Sequence, residues 1–190
     1  AALLVTGAEL RLWLERSFGQ FLQIAPQAQD VPLLNPDFPS FNFDTIEGLT
    51  WAVDLSAPPW VDAKGVVYQS PRRILNLSYN GQPLAPDQPF VLATNSYRAS
   101  GSGGFVGPTS KALPLGPPRG SREALAAYIA QNAPVAAEAP PPWHFMQMSN
   151  TTVLFDTAPR AESHLPSLTP LRATPLSITP QGFRRFRLHL

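Results

Sequence analysis

The chain has 190 residues, of which 44% are hydrophobic and 14% charged, with 14 basic and 13 acidic side chains. This composition is typical of one globular domain and excludes a disordered chain. The net charge of +1 argues against nonspecific binding to DNA or RNA, which requires a basic surface. No apolar run is long enough for a membrane span, and the absence of cysteine excludes disulfides and thiolate metal sites.

The first third of the chain predicts a strand, a helix and further strands, joined by irregular connections that the 23 prolines favour. Residues 1–5 are apolar and begin as a strand without an initiator Met, as expected of a segment from a longer protein. Residues 6–9, Thr-Gly-Ala-Glu, have the capping-box pattern of a helix start, and helical spacing places Trp13 on the buried face. Alternating apolar and polar residues then predict strands at 41–44, 49–55 and 74–79.

The middle of the chain predicts a buried strand and a second helix. Residues 90–94 are apolar throughout, as in a strand buried on both faces. Ser121 is the predicted N-cap of a helix that ends near Asn132. The apolar face of this helix carries Leu125, Tyr128 and Ile129.

Three further strands are predicted at residues 143–148, 152–156 and 183–188. The last of them contains Arg184, Arg185 and Arg187, which we interpret as the solvated edge of a sheet. Several strands and two main helices predict an α+β fold with a mixed sheet.

The segment from residue 94 to residue 105 has the composition of a ligand-binding loop. Its glycines permit positive φ and a close approach of the backbone to a ligand. Tyr97 could stack on a flat partner, and the Arg98 guanidinium suits a carboxylate, a phosphate or a base edge. A nucleotide-triphosphatase phosphate loop is excluded because no Gly-Lys-Ser/Thr closes the turn. The alternative interpretation is a structural glycine-rich connection in which Tyr97 covers the core.

Three stretches, residues 6–10, 43–50 and 93–101, resemble the C-terminal domain of the 5′-nucleotidase family. Residues 150–157 and 182–190 are similar to the periplasmic branch of that family, the 2′,3′-cyclic-nucleotide 2′-phosphodiesterases/3′-nucleotidases. The resemblance covers nearly the whole chain in order, and it implies that residues 1–190 are one domain with a fold like that of the family's C-terminal domain.

The resemblance also implies a site and a parent enzyme. The parent would be a secreted, periplasmic phosphoric ester hydrolase of nucleotide catabolism, with two divalent metal ions in a metallophosphoesterase domain upstream of this chain. Its nucleoside base would lie between two aromatic rings, of which Tyr97 occupies the second position and the first precedes Ala1. Gly103 stands where some members carry an acidic ribose ligand, a departure that agrees with the cyclic-phosphodiesterase branch. The predicted substrate-binding residues are Asn42, Phe43, Asp44, Tyr97, Arg98, Ser100, Gly101, Ser102 and Gly103.

We predict no catalytic residue, no metal site and no cofactor within this chain. Two-metal hydrolysis needs a cluster of Asp, His and Asn ligands, and neither His144 nor the other two histidines lie in an Asp-x-His or Asn-His-Glu context. Asp156, Glu162 and His164 are interpreted as a surface cluster. The expected partners are a nucleotide or nucleoside and the upstream domain, with no nucleic-acid duplex and no membrane. The alternative function is a noncatalytic extracellular binding module whose Tyr97 loop faces a protein or a sugar.

Overall fold

A computed structural model describes residues 1–60, 66, 72–105, 110–114, 120–135, 141–167 and 172–190. In these ranges the strands are β1 (Ala2–Thr6), β2 (Val31–Pro32), β3 (Leu49–Val53), β4 (Ile74–Tyr79), β5 (Gln82–Pro83), β6 (Pro89–Ala93), β7 (Lys111–Ala112), β8 (Trp143–Phe145), β9 (Thr152–Thr157), β10 (Ala173–Ile178) and β11 (Arg184–His189). The α-helices are α1 (Gly7–Ser17), α2 (Ser96–Ala99) and α3 (Ser121–Asn132), and the 3-10 turns are Phe18–Gln20, Ser40–Asn42, Ser102–Gly104 and Pro159–Ser167. None of the described helices is long and apolar enough to cross a membrane.

The strands form three sheets, with the orders β6-β1-β7, β10-β11-β9-β2 and β5-β4-β3-β8. Most neighbours are antiparallel, but β2 pairs with β9 and β3 pairs with β8 in parallel. Two main helices and mixed sheets confirm the predicted α+β class, and the strands are divided among three sheets rather than one.

Helix α1 begins as the sequence predicts, and its buried face joins the three sheets. The Glu9 backbone N–H donates to Thr6 Oγ1 at 3.3 Å, and the Thr6 N–H donates to Glu9 Oε2 at 2.8 Å. These two bonds satisfy donors that a helix start otherwise leaves unpaired. Trp13 is buried, as predicted, in a hydrophobic core that also contains residues of all three sheets.

A buried arginine fixes α1 and the chain that follows it against β4. Arg73 donates to the carbonyl oxygens of Phe18, Phe21 and Ala57 at 2.7–3.2 Å, and burial lowers its pKa to about 10. Glu15 accepts hydrogen bonds from the backbone N–H groups of Arg73 and of the next residue. Since each of these buried polar groups has partners, the arginine stays charged at neutral pH and holds the helix in place.

Two predicted strands differ from the structure in kind, and two others are shorter than predicted, since β3 ends at Val53 and β8 ends at Phe145. Residues 41–44 do not form a strand, because Asn42 lies in a 3-10 turn and the side chains of Asn42 and Asp44 bond to Arg98 instead. Strand β6 is not buried on both faces. It lies at the edge of its sheet, since only β1 pairs with it among the described residues, and Val91 on one of its faces is exposed.

The second helix starts one residue earlier than predicted and leaves its apolar face exposed. Gly120, not Ser121, is the N-cap of α3, and no side chain caps the helix. The three residues of the predicted apolar face, Leu125, Tyr128 and Ile129, are exposed. Helical periodicity places these three residues together, but it does not show whether another element covers them.

The arginines near the C-terminus do not mark the edge of a sheet. Strand β11 pairs with β10 on one side and with β9 on the other. Each of its three arginines forms an ion pair with an acidic side chain; the pairs are Arg184–Glu162, Arg185–Asp156 and Arg187–Asp30. An interior strand is compatible with this composition because each guanidinium reaches an acidic side chain on a neighbouring segment.

Candidate functional site

The candidate loop starts where edge strand β6 ends and consists of two short turns. Asn95 caps the single turn of α2 by accepting the Arg98 backbone N–H at 2.8 Å. Gly101 has a φ of 89°, which allows the chain to reverse before the turn Ser102–Gly104. The Ser100 hydroxyl donates to the Tyr97 carbonyl at 2.9 Å. The loop therefore has a defined backbone that fixes the direction of Tyr97.

The Arg98 side chain joins this loop to residues 41–44. Its side chain is 4% exposed, and it forms two parallel bonds with Asp44, from Nε to Oδ2 at 2.8 Å and from Nη2 to Oδ1 at 2.9 Å. Nη1 donates to Asn42 Oδ1 at 2.9 Å, and Nη2 also donates to the Phe41 carbonyl at 2.8 Å. Trp13 Nε1 donates to Asp44 Oδ2 at 3.0 Å. A planar guanidinium paired with a bidentate carboxylate is a strong interaction. The polar groups of Arg98, Asp44 and Asn42 therefore bind one another within the protein.

The glycines after Arg98 provide room for two arginines of the chain itself. A Cβ on Gly103, which has a φ of 80°, would lie 2.7 Å from Arg98 Nη1 and 3.1 Å from Asn42 Oδ1. A Cβ on Gly104 would lie 3.2 Å from Arg16 Cζ, and Arg16 Nε donates to the Gly103 carbonyl. A side chain at position 103 would therefore collide with the Arg98–Asn42 pair, which is a steric reason for glycine at this position.

A buried phenylalanine holds the end of the loop on the core. The Phe105 ring lies 4.4 Å from Arg98 Cζ and 5.4 Å from Arg16 Cζ, measured to the ring centroid. It also contacts Trp13 of α1, with centroids 5.2 Å apart. These cation–π and aromatic contacts keep the loop against the helix without using Tyr97.

Two aromatic rings near Arg98 are exposed, and a third is not. Tyr97 is 50% exposed, and its ring centroid lies 5.3 Å from Arg98 Cζ. Phe41 is 71% exposed. Phe43, which the sequence predicts as a ligand contact, packs its ring at 5.2 Å from Phe18 in an aromatic cluster of the core. Tyr97 and Phe41 therefore present the ring surface that a flat ligand could stack on.

A cleft of about 390 Å³ lies beside this loop. It is formed by α1, the segment after Phe43 and the end of β6, and its lining residues are Trp13, Phe43, Asp44, Thr45, Ile46, Leu92, Ala93, Thr94, Asn95 and Arg98. Its volume is within the range of small-ligand pockets. Three of the predicted binding residues, Phe43, Asp44 and Arg98, line it, while Tyr97 lies outside this lining.

No group of three or more His, Asp or Glu residues in the described part of the chain could hold a metal ion. Asp156 forms an ion pair with Arg185, and Glu162 forms one with Arg184. Asp156 has a pKa below its ordinary value because Arg185 donates hydrogen bonds to it. The described residues therefore do not fit the two-metal centre that the family resemblance implies for the parent enzyme.

The sequence analysis assigned Asn42, Asp44 and Arg98 to one site, and these residues do lie together. It did not predict that Arg98 binds the other two side chains. Asp44 and Arg98 are 54 residues apart, and nothing in a single sequence indicates that they form a pair. The role of Asn95 had a local signal, since an Asn three residues before the donor N–H is a helix N-cap spacing. The exposure of Phe41 follows from the structure.

The molecule is an α+β domain with an exposed Tyr97 ring on a fixed polar loop, next to a cleft of small-ligand size. Residues 1–109 match the model of the family described as 5′-nucleotidase, C-terminal domain. The chain belongs to this family, and its predicted fold is confirmed.

Similar proteins include bacterial phosphoesterases. The chain is 41% identical over 156 residues to the trifunctional nucleotide phosphoesterase protein YfkN of Bacillus subtilis, covering 81% of this chain and 11% of that protein. It is 36% identical over 168 residues to the 2′,3′-cyclic-nucleotide 2′-phosphodiesterase/3′-nucleotidase of Salmonella typhimurium, covering 81% and 25% respectively. The chain thus spans a quarter or less of the length of these two relatives.

A protein of the same description from Yersinia enterocolitica is 32% identical over 168 residues, covering 83% of this chain and 26% of that protein. A crystal structure of a protein assigned as a 5′-nucleotidase from Staphylococcus aureus has a similar fold, with a TM-score of 0.56 and 20% identity. The match covers 76% of this chain and 26% of the other.

Proposed function

We propose that this chain is the nucleoside-recognising C-terminal domain of a secreted, periplasmic two-metal nucleotide phosphohydrolase that acts as a 2′,3′-cyclic phosphodiesterase and 3′-nucleotidase. The chain is inactive alone and has no catalytic residue. Two divalent ions in a metallophosphoesterase domain of the parent protein would supply the hydrolytic chemistry. The relatives named as cyclic-nucleotide phosphodiesterases support this choice of substrate.

The observation that carries the proposal is the exposed Tyr97 ring, held beside a buried and fully bonded Arg98. Because Arg98 binds Asp44, Asn42 and the Phe41 carbonyl, it supports the loop and leaves Tyr97 as the group that meets the ligand. An aromatic ring that stacks on a base stabilises binding by roughly 1–3 kcal/mol. Stacking tolerates different bases, since every base has a π-face.

Within the parent enzyme this domain would contribute positioning. A base held on Tyr97 brings the attached phosphate to a fixed place relative to the other domain, and such orientation lowers a reaction barrier by several kcal/mol. The hydroxyls of Ser100 and Ser102, 3.3 Å apart, and the backbone of Gly101 and Gly103 lie in the same loop, where they could bind the ribose. Asn42, Phe43 and Asp44 would act from behind the loop, by fixing Arg98 and lining the cleft.

Amide chemical shifts measured during titration with adenosine and 3′-AMP test the proposal. We expect shifts centred on residues 95–105, and we expect Tyr97→Ala to abolish them. If these residues do not respond to either compound at millimolar concentration, the nucleoside proposal is contradicted. The noncatalytic interaction module would then be the better account.

A phosphatase assay tests the second part of the proposal, that catalysis requires another domain. The chain should not hydrolyse 2′,3′-cyclic AMP or 3′-AMP in the presence of Mn²⁺. Turnover that persists through purification and disappears with added chelator would show that this chain holds a metal centre of its own.

A further inference from the structure

Phe41 exposes more of its surface than any other large hydrophobic residue in the described ranges, 71%. It lies in the middle of the 3-10 turn Ser40–Asn42 and makes no ring–ring contact within the described part of the chain. Phenylalanine is usually buried, and the turn would form equally well around a polar side chain. The fold alone therefore does not explain this ring.

The backbone that carries the ring is fixed on both sides. The Asn42 N–H donates to the Pro39 carbonyl at 2.8 Å, and the Phe43 N–H donates to the Ser40 carbonyl at 3.1 Å. The Phe41 carbonyl accepts from Arg98 Nη2 at 2.8 Å. An exposed side chain on a rigid backbone is preorganised for a ligand, since little order is lost on binding.

The same guanidinium connects Phe41 to Tyr97. The Tyr97 ring centroid lies 5.3 Å from Arg98 Cζ, and the Phe41 carbonyl oxygen lies 2.8 Å from Arg98 Nη2. Because Cζ and Nη2 are bonded to each other, the carbonyl oxygen is at most about 10 Å from the ring centroid. Because the resemblance assigns the other face of the base to a ring upstream of this chain, Phe41 would contact the edge of the base, at the optimal contact distance of about 3.5 Å. A phenylalanine ring extends roughly 5 Å from its backbone, so both rings can reach one ligand.

We propose that Phe41 is an aromatic contact for the nucleoside base that stacks on Tyr97. This inference rests on the proposed function and adds a specificity residue to it. Phe41 is not the first ring that the family resemblance implies, because the resemblance places that ring before Ala1. The chain thereby supplies two aromatic surfaces of the site from its own residues, one from each of the segments that Arg98 joins.

Calorimetric titration of adenosine into the full 190-residue chain tests this role. Phe41→Ala should weaken binding about tenfold, as expected for the loss of one base–aromatic contact, whereas Phe41→Trp should retain it. Phe183, which is 50% exposed and directly precedes β11, provides the matched control, and Phe183→Ala should bind as the wild type does. Urea midpoints should be unchanged in all three variants, since both rings are exposed.

The outcomes separate this inference from the function on which it rests. Wild-type affinity in Phe41→Ala, together with weakened binding in Tyr97→Ala, overturns the role of Phe41 and leaves the proposed function standing. An equal loss in Phe183→Ala also overturns it, because the effect would not be local. A wild-type chain that binds no adenosine at millimolar concentration contradicts both.

Discussion

At the scale of single residues, Arg98 determines the form of the candidate site. Its guanidinium binds Asp44 through two bonds and reaches Asn42 and Phe41 through two more. A charge this deeply buried is stable only when it is paired and hydrogen-bonded. The arginine that the sequence suggested as a ligand for phosphate or base is therefore also the structural connection between the two segments of the site.

Gly103 allows a direct test of this arrangement. Gly103→Ala should lower the free energy of unfolding by about 2–4 kcal/mol, because the new Cβ would lie 2.7 Å from Arg98 Nη1 in addition to the cost of positive φ. Gly101→Ala is the matched control: Gly101 has a φ of 89° and nothing within 4 Å of its Cβ position, so it should lose about 1–2 kcal/mol. Urea unfolding measures both, and equal losses would contradict the steric role of Arg98.

At the scale of elements, sequence patterns correctly predicted those helices and strands whose signals come from residues close together in the chain. The capping box at residues 6–9 located α1, and alternation located β3 and β4, because both signals are contained within a few residues. The same alternation at residues 41–44 led to a wrong strand prediction, because the polar side chains of Asn42 and Asp44 bind Arg98. Arg98 is 54 residues from Asp44 in the sequence, so no local pattern indicates this contact. The edge position of β6 and the interior position of β11 depend on which strands pair, and single-sequence periodicity carries no information on pairing.

The two main helices differ in their caps, and this difference predicts unequal responses to alanine. Thr6→Ala should cost about 1 kcal/mol of stability, because the Thr6 side chain accepts the Glu9 N–H and its loss leaves a donor unpaired. Ser121→Ala should change stability by less than about 0.3 kcal/mol, since α3 has no side-chain cap and alanine is a good helix former. Urea denaturation compares the two variants. A larger loss of stability in Ser121→Ala than in Thr6→Ala would show that Ser121 caps α3, as the sequence predicted.

At the scale of the whole molecule, α1 lies where the three sheets meet, and the candidate loop packs against Trp13 and Arg16 of this helix, chiefly through Phe105. Family membership rests on residues 1–109, and these include the loop, Phe41 and the cleft. The C-terminal sheet is a different part of the molecule. Ion pairs of Arg185 with Asp156 and of Arg187 with Asp30 stabilise it. Binding and the stability of that sheet should thus respond to different mutations.

The ion pair between Arg187 and Asp30 predicts a dependence of stability on pH. Hydrogen bonds from Arg187 lower the pKa of Asp30 below its ordinary value of 3.8. A carboxyl with a lower pKa in the folded state stabilises the protein above its unfolded pKa, and this contribution is lost as pH falls through the folded pKa. Arg187→Gln should therefore have a lower Tm than the wild type near neutral pH, and the difference should shrink as pH falls below about 4.

Thermal unfolding followed from neutral to acidic pH measures this effect, with Arg172→Gln as the control. Arg172 is exposed and forms no ion pair among the described residues, so its variant should run parallel to the wild type. A constant difference between Arg187→Gln and the wild type across this pH range would show that the pair does not depend on the ionisation of Asp30.

The central claim, that Tyr97 receives a nucleoside base, is tested most directly by the affinity of adenosine for two tyrosine variants. Tyr97 and Tyr128 are comparably exposed, at 50% and 56%, but only Tyr97 lies in the candidate loop. Calorimetry should show that Tyr97→Ala weakens binding by about 1–3 kcal/mol, whereas Tyr128→Ala leaves it unchanged. Equal affinity of the wild type and Tyr97→Ala would contradict the account.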